Sequence, residues 1–148
     1  MLFRSTLLVD DASSDESVSF VRRRHPEVAV LSLPTNLGFL RTANLGMLIG
    51  LLRGVDYLLL LNNDTRLGKD SITPLLRAAD AHPQYGVLGP IQTDFHGTPS
   101  PRTRAAAAGR EPVDGLIDAD WLEGSCLLIR REAIEQVGWL DPLYCPCD

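Results

Sequence analysis

The side chains best suited to chemistry stand at the ends of two apolar runs. Asp10-Asp11 follow Thr6-Leu7-Leu8-Val9, and Asn62-Asn63-Asp64 follow Tyr57-Leu58-Leu59-Leu60-Leu61. Short, near-continuous hydrophobic segments read as buried parallel strands. In open α/β sheets ligands sit beyond the carboxyl ends of such strands. A carboxylate placed there accepts hydrogen bonds from a base or sugar. One beside phosphate oxygens holds a divalent cation that neutralises a leaving group. Asn and Asp also favour turns for backbone reasons, so residue type alone leaves both readings of Asn62-Asn63-Asp64 standing. Asn36-Leu37-Gly38 opens on the same edge. Its glycine permits close backbone approach to a ligand, and the N-terminus of the helix after it favours anionic groups. A plain strand-to-helix turn is the alternative for Asn36 and Gly38.

These residues need a frame, and the chain spells one out. Thr6 to Asp10 reads as a strand, followed by a polar loop in which Ser14 or Asp15 is available to cap a helix running to about His25, where Pro26 stops it. Val28 to Leu33 is a second strand. A longer helix over Phe39 to Arg53 places Leu40, Ala43, Met47 and Leu51 on one face, with Gly54 as terminator. The strand ending at Asn62 is followed by a helix over Asp70 to Ala81 and a short strand within Tyr85 to Ile91. From Gln92 to Asp120 the pattern fades into Gly, Pro, Arg and the alanine run Ala105 to Ala108. Long patternless segments inside a compact domain are usually functional or mobile. Order returns with Trp121 to Ile129 and a helix through Val137, capped by Gly138. Strands alternating with helices imply an α/β domain over residues 1–148, with a mostly parallel sheet flanked by helices.

Composition narrows the function classes. The 148 residues suffice for one domain with a real core. A net charge of -5 argues against a nucleic-acid binder that works by bulk electrostatics. No run has the length of a membrane span, and the N-terminus lacks a signal-peptide pattern. Cys126, Cys145 and Cys147 are an odd number of cysteines, which points to free thiols and a reducing, cytoplasmic setting. Cys145-Pro146-Cys147 has no second Cys or His pair at zinc-like spacing, so these are read as incidental thiols.

Taken in order, the segments LLVDDASSDES, NLGFLRTANLG, YLLLLNNDTRL and WLEGSCLLIRREAIEQVGWLDP span nearly the whole chain. That order resembles the family-2 glycosyltransferases of GT-A fold, above all the rhamnosyltransferase-like branch of bacterial surface-polysaccharide pathways. The resemblance implies that Asp10 hydrogen-bonds the donor's nucleotide base, with Asp11 and Asp15 in the same motif. It maps the DXD-type motif to Asn62-Asn63-Asp64, its first acid replaced by Asn. Asp64 would be the main protein ligand of Mg²⁺ or Mn²⁺ on the donor diphosphate. Asn36 and Gly38 fall on the donor side. Trp121, Glu123 and Gly124 belong to the segment that faces the acceptor. Trp121 suits stacking on a sugar, although an aromatic at a strand start is more often core. The general base of these inverting enzymes usually sits in a Glu-Asp pair after a segment like Gly138-Trp-Leu-Asp141. Its match here is Asp148, with Cys147 in place of the Glu.

The implied partners are a nucleoside-diphosphate sugar, with a dTDP-linked 6-deoxyhexose such as rhamnose as the branch's usual donor, and a saccharide or lipid-linked saccharide acceptor. The latter would be met at the inner membrane face without a span of the chain's own. The implied mechanism is a single displacement with inversion. The resemblance also leads us to expect an earlier strand and helix carrying part of the nucleotide pocket, and a continuation on the acceptor side. A chain lacking both would be a partial domain, and a remnant that at most binds nucleotide diphosphate or serves as an interaction module is the alternative reading. A phospho-receiver domain would need a lysine after a late strand. The only lysine is Lys69, just beyond Asp64.

Overall fold

The computed structural model describes residues 5–94 and 96–144. They form two compact units. One comprises the residues up to Val55 together with those from Val137 onward, and the other is Asp56–Gln136.

In the first unit, strand β1 (Leu7–Asp10) pairs in parallel with β2 (Ala29–Ser32), with Leu7 opposite Ala29 and Asp10 opposite Ser32. Helix α1 (Ser17–Arg24) connects them, as a parallel pair requires. Its first turn takes a side-chain bond from the expected loop, because Asp15 Oδ1 accepts the Ser17 N–H at 2.9 Å. Helix α2 (Phe39–Leu52) then packs on β1, burying Thr42, Ala43 and Met47. A Cβ on Gly46 would stand 3.3 Å from Val9 Cγ2, so this glycine lets helix and strand approach closely. Met47 is 4% exposed and contributes about 1.5–3 kcal/mol by burial. The helix ends at Gly54, whose φ of 71° only glycine adopts readily.

The second unit is a three-stranded sheet in the order β3-β5-β4, with β3 at Tyr57–Leu61, β4 at Val87–Leu88 and β5 at Cys126–Arg130. Helix α3 (Ile72–Ala81) packs against β5. The core is Leu75, Ala79, Leu88 and Leu128, with Leu59, Leu76 and Leu116 packed around it. Helix α5 (Arg131–Val137) follows β5 directly and is stopped by Gly138 at φ 94°.

The α/β class holds, but the expected parallel sheet holds only for β1 and β2. Both pairings of β5, with β3 and with β4, are antiparallel. An apolar run such as Tyr57–Leu61 carries no mark of the direction of its neighbour, and a continuous run is only a prior for parallel burial. The burial pattern agrees with the observed order. β5 is the central strand, with Cys126, Leu128 and Ile129 at most 5% exposed, whereas the residues of β3 are half-buried or exposed. The stretch from Gln92 to Asp120 is also more ordered than its composition suggested, since it contains helix α4 (Pro101–Ala106).

Candidate active site

At the end of β1 the chain turns sharply, with Ala12 at φ 65°, a left-handed backbone that is uncommon for a residue with a Cβ. The turn sends the two acids to different tasks. Asp10 is 8% exposed and its Oδ1 accepts the Ser13 N–H at 3.3 Å. Asp11 reaches across to the start of α2, where Oδ1 accepts the Leu37 N–H at 2.7 Å and Oδ2 the Gly38 N–H at 2.9 Å. Partial desolvation opposes its ionisation. The main-chain donors of Leu37 and Gly38 outweigh that and hold the Asp11 carboxyl below its ordinary value. Asn36 Oδ1 accepts the same Gly38 N–H at 2.9 Å. The anion expected at this helix start is therefore supplied by the chain itself. Gly38 has φ 82°, and a Cβ built on it would meet nothing within 4 Å, so its outer face is open to a ligand.

In the second unit the antiparallel register has a direct consequence for the site. It sets the end of β3 beside the start of β5, with Leu61 opposite Cys126. The Asn62 N–H donates to Ser125 O at 2.9 Å, and the Thr65 hydroxyl donates to the same carbonyl at 3.2 Å. Gln92 Nε2 donates to Ser125 Oγ. A parallel β5 would have put its leading residues at the far end of the sheet. As built, the Asn62-Asn63-Asp64 turn and the Glu123-Gly124-Ser125 segment share one end of this unit. Asn63 and Asp64 are exposed and Asn62 is half-buried.

Glu123 is held by a helix that the sequence reading missed. Ser100 caps α4 by accepting the Thr103 N–H at 3.0 Å, with Pro101 as the first helical residue. The Ser100 and Thr103 hydroxyls both donate to Glu123 Oε1, at 2.6 and 2.8 Å. The Ser100 hydrogen bond comes first among the causes that hold the Glu123 carboxyl below its usual range, with Thr103 and the charge of Arg102 adding to it against desolvation. Ser-Pro followed by an alanine-rich stretch is itself a helix-start signal, and it was available in Ser100-Pro101 and Ala105 to Ala108. Trp121, expected more often as core, is 48% exposed and free to meet a ligand.

The fit of a divalent cation rests on Asp64. Among the described residues no three or more His, Cys, Asp and Glu side chains gather to form a cage. A single exposed carboxylate suits a hard cation held chiefly by phosphate oxygens and water, the usual mode for Mg²⁺. Asp148, Cys145 and Cys147 lie outside the described residues. Cys126 is buried, and burial pushes its thiol up. Among the described residues no helix is long and apolar enough to cross a membrane.

The family model described as Glycosyl transferase family 2 matches residues 5–138. Two curated relatives from two strains of Mycobacterium tuberculosis, each named N-acetylglucosaminyl-diphospho-decaprenol L-rhamnosyltransferase, are 31% identical over 172 aligned positions. The alignment covers 95% of this chain but 56% of those relatives' length. Among solved structures, the crystal structure of S. aureus TarS 1-349 matches with a TM-score of 0.63 at 18% identity, over 90% of this chain and 39% of that one. The last match bears on the fold alone, and with the family match it supports an α/β architecture of GT-A type.

Proposed function

The chain belongs to glycosyl transferase family 2, and on that premise we propose that it acts in moving a sugar from a nucleoside diphosphate to a saccharide acceptor in cell-surface polysaccharide synthesis. The name of the mycobacterial relatives supports a 6-deoxyhexose such as rhamnose as donor sugar and a lipid-linked saccharide as acceptor; such an acceptor would be met at a membrane face. The observation that carries most weight is the register of β3 on β5, which sets the exposed Asp64 turn and the tethered Glu123 at one end of a single sheet.

In this reading Asp10, Asn36 and Gly38 receive the nucleotide, with Asp11 holding the Gly38 turn in place. Asn62 and Asn63 face the diphosphate. Asp64 holds Mg²⁺ or Mn²⁺, which when bound neutralises charge on the departing diphosphate. Trp121 offers an aromatic face to the acceptor ring, and Glu123 and Gly124 flank it. Glu123, kept ionised by its two hydroxyl donors, orients an acceptor hydroxyl as a hydrogen-bond acceptor. Proton removal falls to a different carboxylate, Asp148, as the acceptor oxygen attacks the anomeric carbon. Attack opposite the leaving diphosphate inverts that centre.

Calorimetric titration of the folded protein with dTDP and UDP, with and without Mn²⁺, tests the donor half. Metal-dependent binding that Asp64→Ala removes is the expected outcome. A folded protein that binds neither nucleotide ends the transferase reading. Binding without transfer to a prenyl-diphosphate-linked N-acetylglucosamine leaves the remnant reading in its place.

A further inference from the structure

Asn44, in the middle of α2, has a task that neither the fold nor the donor reading assigns. Its side-chain amide makes a two-pronged contact with a single residue far along the chain. Nδ2 donates to Leu140 O at 2.7 Å, and Oδ1 accepts the Leu140 N–H at 3.0 Å. A side-chain amide carries the N–H donor and the carbonyl acceptor that satisfy a main-chain carbonyl and N–H together at neutral pH. The contact holds the segment after Gly138 against α2. Two residues beyond Leu140, Pro142 forms one wall of a groove of about 140 Å³ whose other walls are Leu37, Gly38, Leu40 and Arg41. The groove therefore lies along the open face of Gly38 and carries a guanidinium, which suits an anionic ligand.

We infer that Asn44 is a positioning residue for donor binding: by clipping Leu140 it sets Pro142 opposite Gly38 and Arg41, and so shapes the groove that receives part of the nucleoside diphosphate. The inference rests on the donor reading above. Asn44 itself does not touch the groove and acts through Leu140 and Pro142. Without the clip, Gly38 and Arg41 stay where Asp11 and α2 hold them, but the facing wall is released.

The test compares wild type, Asn44→Ala and Asn44→Asp by calorimetry with UDP and dTDP, alongside thermal melts and hydrogen exchange at the Leu140 amide. Asn44→Ala is expected to bind the better nucleotide about tenfold more weakly, the worth of one lost hydrogen-bond pair, while remaining folded at the titration temperature. Its Leu140 amide should exchange faster. Asn44→Asp keeps an acceptor for the Leu140 N–H but sets a carboxylate against the Leu140 carbonyl. Its affinity deficit relative to wild type should narrow as pH falls toward about 4, where a carboxyl regains a proton to donate. A purely structural clip would lower the melting temperature and leave affinity and its pH dependence unchanged. Equal affinities in folded wild type and Asn44→Ala overturn the inference and leave the donor reading intact. Absence of nucleotide binding in the wild type overturns both.

Discussion

At the end of β1 both carboxylate oxygens of Asp11 meet main-chain N–H groups, whereas at the end of β3 the carboxylate of Asp64 stands exposed with no side-chain partner among the described residues. Sequence gives the two ends the same look, an apolar run closed by acids. Structure gives them different duties. Asp11 is used up in building the turn that presents Gly38, and its lowered pKa reports that use rather than catalysis. Asp64 has no comparable bonds among the described residues. An acid whose hydrogen bonds are complete positions its surroundings, and an acid without partners is the better candidate for a ligand.

That contrast can be broken most sharply at Asp64. Asp64→Ala should weaken metal-dependent nucleotide binding about a hundredfold, by analogy with lost metal-site interactions, with little change in unfolding free energy. Calorimetry with and without Mn²⁺, paired with urea denaturation, reads both. Asp11→Ala should show the reverse balance, a loss of about 1 kcal/mol in stability from the orphaned Leu37 N–H, Asn36 still accepting the Gly38 N–H, and a smaller effect on binding. If Asp11→Ala proved stable but unable to bind, the division of labour drawn here would be wrong.

Glu123 offers an intermediate case, an acid with one oxygen tethered. Replacing its donors together, Ser100→Ala with Thr103→Val, should cost about 1 kcal/mol at neutral pH, the worth of a helix cap. The sign with pH follows from the direction of the shift. A depressed carboxyl pKa stabilises the fold above the unfolded-state value, and that contribution disappears as pH falls through the folded value. The stability gap between wild type and the double variant should therefore shrink in acid, and the Glu123 carboxyl, followed by NMR, should titrate higher in the variant. The smallest effect is expected at Ala12. Replacement by Gly relieves the left-handed backbone but loosens the unfolded chain, so unfolding free energy should change by no more than about 1 kcal/mol.

What the sequence disclosed was local. β1, β2, α2 and β3 were legible because apolar spacing and the stops at Pro26 and Gly54 are written into adjacent residues. The antiparallel seat of β5 was not, because Tyr57–Leu61 pairs equally well in either direction and the choice is made by contacts with residues far along the chain. Helix α4 was hidden by its surroundings of Gly, Pro and Arg, although Ser100-Pro101 marked its start. The acids were found by type and position. That Asp11 would be satisfied by Leu37 and Gly38, 26 and 27 residues away, is a fact of tertiary structure that no spacing rule contains.

The first unit is assembled from two stretches of chain that flank the whole of the second. During synthesis this imposes an order of events. Asp56–Gln136 has its strands and core complete before Leu140 leaves the ribosome, while Asn44 waits through 96 residues of elongation for the backbone groups it binds. Until then the Asn44 amide is without the two main-chain groups it binds in the folded protein.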